Sequence, residues 1–118
     1  MFLDWNIVLN ENGGPNYAQN YCEAPIICNT KTGEVIHKTS FYYIAQFSKY
    51  IKSGAKRIAT TCYSETIEVV AFENPDRSIA VVLLNRTEEN LPVTLRMNEE
   101  LIALRCPKKS ISTAVWNR

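Results

Sequence analysis

Much of what common function classes require is missing from this sequence. It holds a single histidine, His37, and its four cysteines, Cys22, Cys28, Cys62 and Cys106, include no C-x-x-C pair. Structural zinc and redox sites draw on closely spaced ligand pairs, so neither a metal site nor a cofactor is expected. Thirteen Lys/Arg against twelve Asp/Glu leave a formal charge of +1, and the only adjacent basic pairs are Lys56-Arg57 and Lys108-Lys109. That is no basic stripe, so nucleic acid is not an expected partner. The longest apolar run, Ile79 to Leu84, falls far short of the ~20 residues of a membrane span. The opening MFLDWN has neither a basic n-region nor a cleavage site, so a signal peptide is not expected there. Neither an internal repeat nor a low-complexity tract is present.

With 118 residues and 46% apolar content, the chain can pack a core without covalent staples. The cysteines are therefore expected as free thiols. Cys28, Cys62 and Cys106 lie in strand-like patterns and should be buried there as small hydrophobes.

The stretch from Asp4 to Tyr21, DWNIVLNENGGPNYAQNY, organises the rest. Met1 to Leu9 reads as a buried strand ending in the apolar run Ile7-Val8-Leu9. The segment Asn10 to Ala24 is longer than most loops of a compact domain, which favours a functional role. Gly13-Gly14-Pro15 provides a sharp reversal. Around it stand Asn6, Asn10, Asn12, Asn16 and Asn20, with Trp5, Tyr17 and Tyr21. Amides offer both a donor and an acceptor to hydroxyl groups, and flat rings cover the apolar faces of sugars. The pattern fits a carbohydrate rim, although Asn and Gly also make ordinary turns.

Beyond it, Pro25 to Cys28 and Glu34 to His37 flank the turn sequence Asn29-Thr30-Lys31-Thr32-Gly33, a hairpin pattern. A helix should follow, capped by Thr39 or Ser40 and closed by Lys49, Lys52 and Gly54. Phe41, Ile44, Ala45 and Ile51 form one apolar face, and Tyr43, Phe47 and Tyr50 a second, so cover on two sides is expected. After Gly54 the period falls to two. Arg57 to Tyr63, Ile67 to Phe72, Ile79 to Asn85, Leu91 to Met97, Leu101 to Cys106 and Thr113 to Trp116 are strand candidates. Polar turns separate them, among them Asn74-Pro75-Asp76-Arg77, in which Asp76 should cap its own backbone. Even spacing of this kind marks an antiparallel sandwich.

The order of these pieces resembles the end of a family 30 glycoside hydrolase, the group that includes the glucosylceramidases. The likeness is carried by Trp5-Asn6, Gly13 to Asn16, Glu23 to Ile27, Gln46 to Lys49, Gly54 to Ile58, Ile79 to Arg86 and Ser110 to Thr113. It departs from the family pattern at Met1 to Asp4. The resemblance implies a mainly β chain: an antiparallel β-sandwich of about six to eight strands, preceded by the last strand, loop and helix of a (β/α)8 barrel. Residues 1–53 would be the barrel end and 54–118 the sandwich. It further implies that Trp5, Asn20 and Tyr21 meet the sugar at the rim.

Retaining glycosidases use two carboxyl groups about 5 Å apart, and in this family both are glutamates on earlier barrel strands. No catalytic residue is therefore expected in this sequence. Glu65, Glu68, Glu73, Glu88, Glu89, Glu99 and Glu100 read as turn or solvated positions. Glu11 and Glu23 lie in the loop, as structural acceptors or substrate contacts. Asp4 supports the pocket or joins a buried ion pair. His37 has no motif linking it to a nucleophile.

The expected function is thus the C-terminal part of a retaining β-glycosidase, inactive alone, which acts on a β-glucoside only together with the upstream barrel. The alternative is a non-catalytic carbohydrate-binding or structural sandwich module, with Tyr63, Phe72 and Trp116 in a row on one sheet face. A lone barrel strand leaves unpaired backbone and apolar surface, so a homo-oligomer, or association with the barrel segment, is expected. Asn85-Arg86-Thr87 fits a glycosylation sequon, with a plain turn the favoured reading. No localisation follows from the residues.

Overall fold

A computed structural model describes residues 5–117. The chain divides into two compact units, one ending at Ala45 and one beginning at Gln46.

The first unit holds β1 (Val8–Asn10), β2 (Ile26–Cys28), β3 (Val35–His37) and most of α1 (Thr39–Ser48). β1 runs parallel to β2, with Val8 opposite Ile26 and Asn10 opposite Cys28, and β2 pairs antiparallel with β3. The β2–β3 turn follows from Asn29. Its Oδ1 accepts from the Lys31 and Thr32 amides, and Gly33, at φ 74°, donates to its carbonyl. The expected strand from Met1 to Leu9 is not what forms. Met1 to Asp4, and with them the proposed roles of Asp4, lie outside the described residues. Of the apolar run only Leu9 is buried; Ile7 is 73% and Val8 45% exposed. Successive strand residues point to opposite faces, so Val8 lies on an uncovered face and Leu9 on a covered one.

The helix also departs from expectation. Thr39 and Ser40 sit in its first turn rather than before it, and Lys49 and Lys52 fall beyond its end at Ser48. None of its residues is buried, and Tyr43 and Phe47 remain exposed. Two of the three rings of the second aromatic stripe are therefore left uncovered among the described residues, while Tyr50 is half-buried. His37 packs on Phe41, ring centroids 4.4 Å apart.

The second unit holds β4 (Lys56–Ile58), β5 (Ile67–Glu73), β6 (Ile79–Asn85), β7 (Leu91–Met97), β8 (Glu100–Cys106) and β9 (Ser110–Trp116). Four strands form an antiparallel sheet in the order β4-β5-β6-β9, and β7 and β8 form a separate hairpin. β6 is apolar nearly throughout because it is central, with β5 on one side and β9 on the other. β7 alternates half-buried and exposed residues along its whole length, as a strand with one solvated face should. Ile67, Leu83 and Cys106 form the core, with Val69, Val81, Leu91, Val93, Leu95 and Leu104 packed around them. Burial pushes the Cys106 thiol pKa up, which keeps it neutral.

Four strand candidates change length, β5 and β8 by one residue each and the first and last by more. Arg57 to Tyr63 shrinks to Lys56–Ile58, so Cys62 lies outside any strand and is exposed rather than buried. At the other end β9 begins at Ser110, opposite Asn85, where a turn was expected. All four cysteines are free; Cys106 is buried, whereas Cys28 in β2, expected to be buried, is half-buried.

The β5–β6 turn is built as its residues dictate. Asp76 Oδ1 accepts from the Ser78 amide at 3.1 Å and hydroxyl at 2.7 Å. Asn74, buried, receives the Lys52 amide on Oδ1 and donates to the Tyr50 carbonyl. Lys52 closes the turn from outside through an ion pair with Asp76.

Candidate functional site

The loop between β1 and β2 gathers most of the polar and aromatic residues singled out above. It is shaped from Asn10 outward. The Asn10 side-chain oxygen accepts from the Gly14 amide at 2.8 Å and the Asn12 amide at 3.0 Å. This Asx arrangement ends the strand and starts the reversal. Gly13 lies at φ 77°, and a Cβ there would stand 2.6 Å from the Cys22 carbonyl oxygen. Only glycine allows the two backbones to meet so closely. The Cys22 amide then donates to Gly13 O at 3.2 Å, and Asn16 Nδ2 donates to the same oxygen at 3.3 Å. The Gly14–Pro15 peptide is cis.

Between these fixed points Ala18 and Gln19 adopt φ of 61° and 56°. Consecutive non-glycine residues in the left-handed region are uncommon and concentrate where backbone is held for a purpose. They direct the chain into Asn20 and Tyr21, the Tyr21 amide donating to Gln19 O.

The loop encloses an open concavity of about 730 Å³, walled by Asn10, Asn12, Gly14, Pro15, Asn16, Ala18, Gln19 and Tyr21. Of the three residues expected to meet sugar, Tyr21 lines this concavity. Asn20 and Trp5 do not, and both are exposed, Trp5 at 85%. Asn10 and Asn16, read earlier as part of the Asn-rich setting, wall it directly. Their spacing around Gly-Gly-Pro was the available signal.

The loop acids have structural partners. Glu11 accepts from the Thr30 amide and hydroxyl at 2.9 and 3.1 Å, and Glu23 pairs with Lys38 at 2.9 Å. In the second unit Glu68 pairs with Arg86, Glu88 with Lys109 and Asp76 with Lys52. Among the described residues no group of three His, Cys, Asp or Glu stands close enough to hold a metal ion.

The second unit has its own hollow, an apolar groove of about 750 Å³ walled by β5, β6, β7 and the Ala59–Ser64 segment. Tyr63 and Trp116 line it; Phe72 points from the opposite face of β5. The three rings therefore do not form a row.

Comparison with known proteins divides the chain in the same order. Residues 1–51 match the glycosyl hydrolase family 30 TIM-barrel domain, and residues 54–114 the glycosyl hydrolase family 30 beta sandwich domain. The chain is 37% identical over 119 residues to the lysosomal acid glucosylceramidase of Mus musculus, a match covering 99% of this chain and 23% of that protein. Among solved structures it resembles SrfJ from Salmonella typhimurium, with a TM-score of 0.89, 34% identity, and 98% of this chain matched to 26% of that one. The endo-beta1,6-glucanase BT3312 gives a TM-score of 0.89 and 33% identity, over 97% of this chain and 26% of that one. The chain thus spans about a quarter of the length of these relatives.

Proposed function

The chain belongs to glycosyl hydrolase family 30, and from that premise we propose that it is the C-terminal part of a retaining β-glycosidase of the glucosylceramidase type. It joins the end of a TIM barrel, with its rim loop, to a β-sandwich domain. Active sites of such barrels are built from loops at the C-terminal ends of the strands, and the loop after β1 occupies that place. In this reading Asn20 bonds a sugar hydroxyl through its amide, and Tyr21 and Trp5 cover the apolar face of the ring. Asn10 and Asn16 hold the loop open beside them.

The division of labour follows from the acids. Hydrolysis with retention needs one carboxylic acid to protonate the leaving oxygen and one carboxylate about 5 Å away to attack the anomeric carbon. Glu11, Glu23, Glu68, Glu88 and Asp76 are each engaged in a structural bond. In this reading the catalytic pair stands on other strands of the family's TIM barrel, and this chain supplies the facing wall. The bond cleaved is a β-glucosidic one, in glucosylceramide or a related β-glucoside.

The single observation that carries the reading is the ordered pair of family matches, with the rim loop inside the barrel match and its polar concavity at the end of β1. The test is complementation. The chain mixed or co-produced with the barrel portion of a family 30 glucosidase should hydrolyse an aryl β-glucoside, with KM raised by Asn20→Ala. No turnover from the mixture, or turnover by the isolated chain that depends on one of its own acids, would reject the proposal.

A further inference from the structure

The rim loop is tied to a part of the chain remote in sequence. Where the parallel ladder of β1 and β2 ends, at Asn10 opposite Cys28, Glu11 takes over the pairing with its side chain. Its Oε2 accepts from the Thr30 amide at 2.9 Å, and the Thr30 hydroxyl lies 3.1 and 3.2 Å from the two carboxylate oxygens. Thr30 belongs to the β2–β3 turn, which Asn29 locks from within through the amides of Lys31, Thr32 and Gly33. It is a rigid post. On the loop side, Glu11 adjoins Asn10, whose side chain fixes Gly14, and Gly13 in turn receives the Cys22 amide. Asn20 and Tyr21 immediately precede Cys22.

We infer that Glu11 is a positioning residue, which sets the place of Asn20 and Tyr21 by clamping the start of the rim loop to the Thr30 turn. The inference rests on the reading of those two residues as sugar contacts. A carboxylate suits the task because it offers several lone pairs and binds a backbone N–H more strongly than a neutral acceptor does. The Thr30 amide holds the Glu11 carboxyl below its ordinary range, with Lys31 adding to the effect, so the clamp stays ionised. Glutamine keeps the length but loses the charge and one acceptor. Valine at position 30 removes the hydroxyl and leaves the stronger backbone bond.

Amide hydrogen exchange on the 118-residue chain reads the clamp without any sugar. Glu11→Ala should speed exchange at Thr30 and Cys22 by about threefold or more, with Val82 of β6 unchanged. Glu11→Gln should fall between, and Thr30→Val should move Cys22 least. The complemented glucosidase reads the consequence, with Glu11→Ala raising KM for an aryl glucoside more than it lowers kcat. Unchanged exchange at Cys22 overturns the inference. Faster exchange with unchanged KM also overturns it if Asn20→Ala still raises KM. If Asn20→Ala leaves KM unchanged as well, the sugar-contact reading has failed and the positioning role falls with it.

Discussion

The side-chain amide of Asn85, at the end of β6, donates to the carbonyl of Pro107 at 2.8 Å and so joins the central strand to the turn between β8 and β9. The same nitrogen lies 2.8 Å from Glu89 O and 3.2 Å from Cys106 O, while Oδ1 accepts from the Thr87 amide and hydroxyl. Two hydrogens shared among three carbonyls make one bond three-centred. Asn85 is fully buried; of its partners the Cys106 carbonyl is buried with it, while Thr87 is half-buried and Glu89 and Pro107 are exposed.

Asn85→Ala should accordingly destabilise the chain by about 1–3 kcal/mol, the cost of leaving one buried carbonyl, that of Cys106, without its donor. Asn85→Asp should cost more, because a carboxylate would face carbonyl oxygens. Urea unfolding checks both. The same burial decides the sequon Asn85-Arg86-Thr87. Its acceptor nitrogen is inaccessible and engaged, so intact mass from a secreting eukaryotic host should show no glycan at Asn85.

Asp76 makes a prediction about acid. The Lys52 ammonium foremost, with the Ser78 hydroxyl and amide, lowers its pKa from 3.8 to about 2. A group whose folded pKa is depressed adds stability above its unfolded pKa and loses it as pH falls through the folded one. The contribution is therefore complete above pH 3.8 and disappears toward about pH 2. The Ser78 amide shift should titrate with a midpoint near 2, and Asp76→Asn should abolish that titration. Because the pair is exposed, its removal should change stability at neutral pH little.

Gly13 and Gly33 both adopt positive φ, but they should respond differently to alanine. A Cβ at Gly33 meets open space, whereas one at Gly13 meets the Cys22 carbonyl oxygen at 2.6 Å. Gly33→Ala carries only the left-handed penalty of about 1 kcal/mol. Gly13→Ala adds a clash between two backbones and should exceed about 2 kcal/mol locally. Amide exchange at Gly14 and Cys22 should accelerate strongly in Gly13→Ala and hardly at all in Gly33→Ala.

These residues also show what is legible in the sequence. The limits of β6 and β7 follow from pattern alone, because a central strand is apolar throughout and a half-solvated one alternates. The Asn74 to Arg77 turn is equally plain, since its chemistry is local. What escapes is long-range or competitive. Asn10 ends β1 by turning its side chain on its own backbone, and no apolar count reveals where that happens. The Glu11–Thr30 bond spans nineteen positions, so the sequence leaves Glu11 equally suited to substrate or structure. The aromatic stripe of α1 predicts cover that is not found among the described residues, where Tyr43 and Phe47 stay exposed, because an apolar stripe shows that a face can be buried and not what covers it. Asn10, Asn16 and Asn20 are alike as loop asparagines in the sequence; that the first two wall the concavity and Asn20 does not depends on the path of the folded loop.

The uncovered surface of the first unit leads to the last expectation. Ile7, Val8, Val35 and Ile36 are all exposed, and they lie on β1 and β3 or just before β1, at the two edges of a three-stranded sheet. Short strands with apolar side chains and unpaired edge groups invite pairing with another chain. Water satisfies the backbone groups but not the side chains, so the tendency rises with concentration. The isolated chain should therefore form homo-oligomers, visible by light scattering across a dilution series. Ile7→Lys places a charge at the most exposed of these four positions and should shift the chain toward monomer without altering the β6 core. Addition of the barrel portion should have the same effect by covering the surface. A monomer at all concentrations, or association unaffected by Ile7→Lys, would show that this surface does not drive self-assembly.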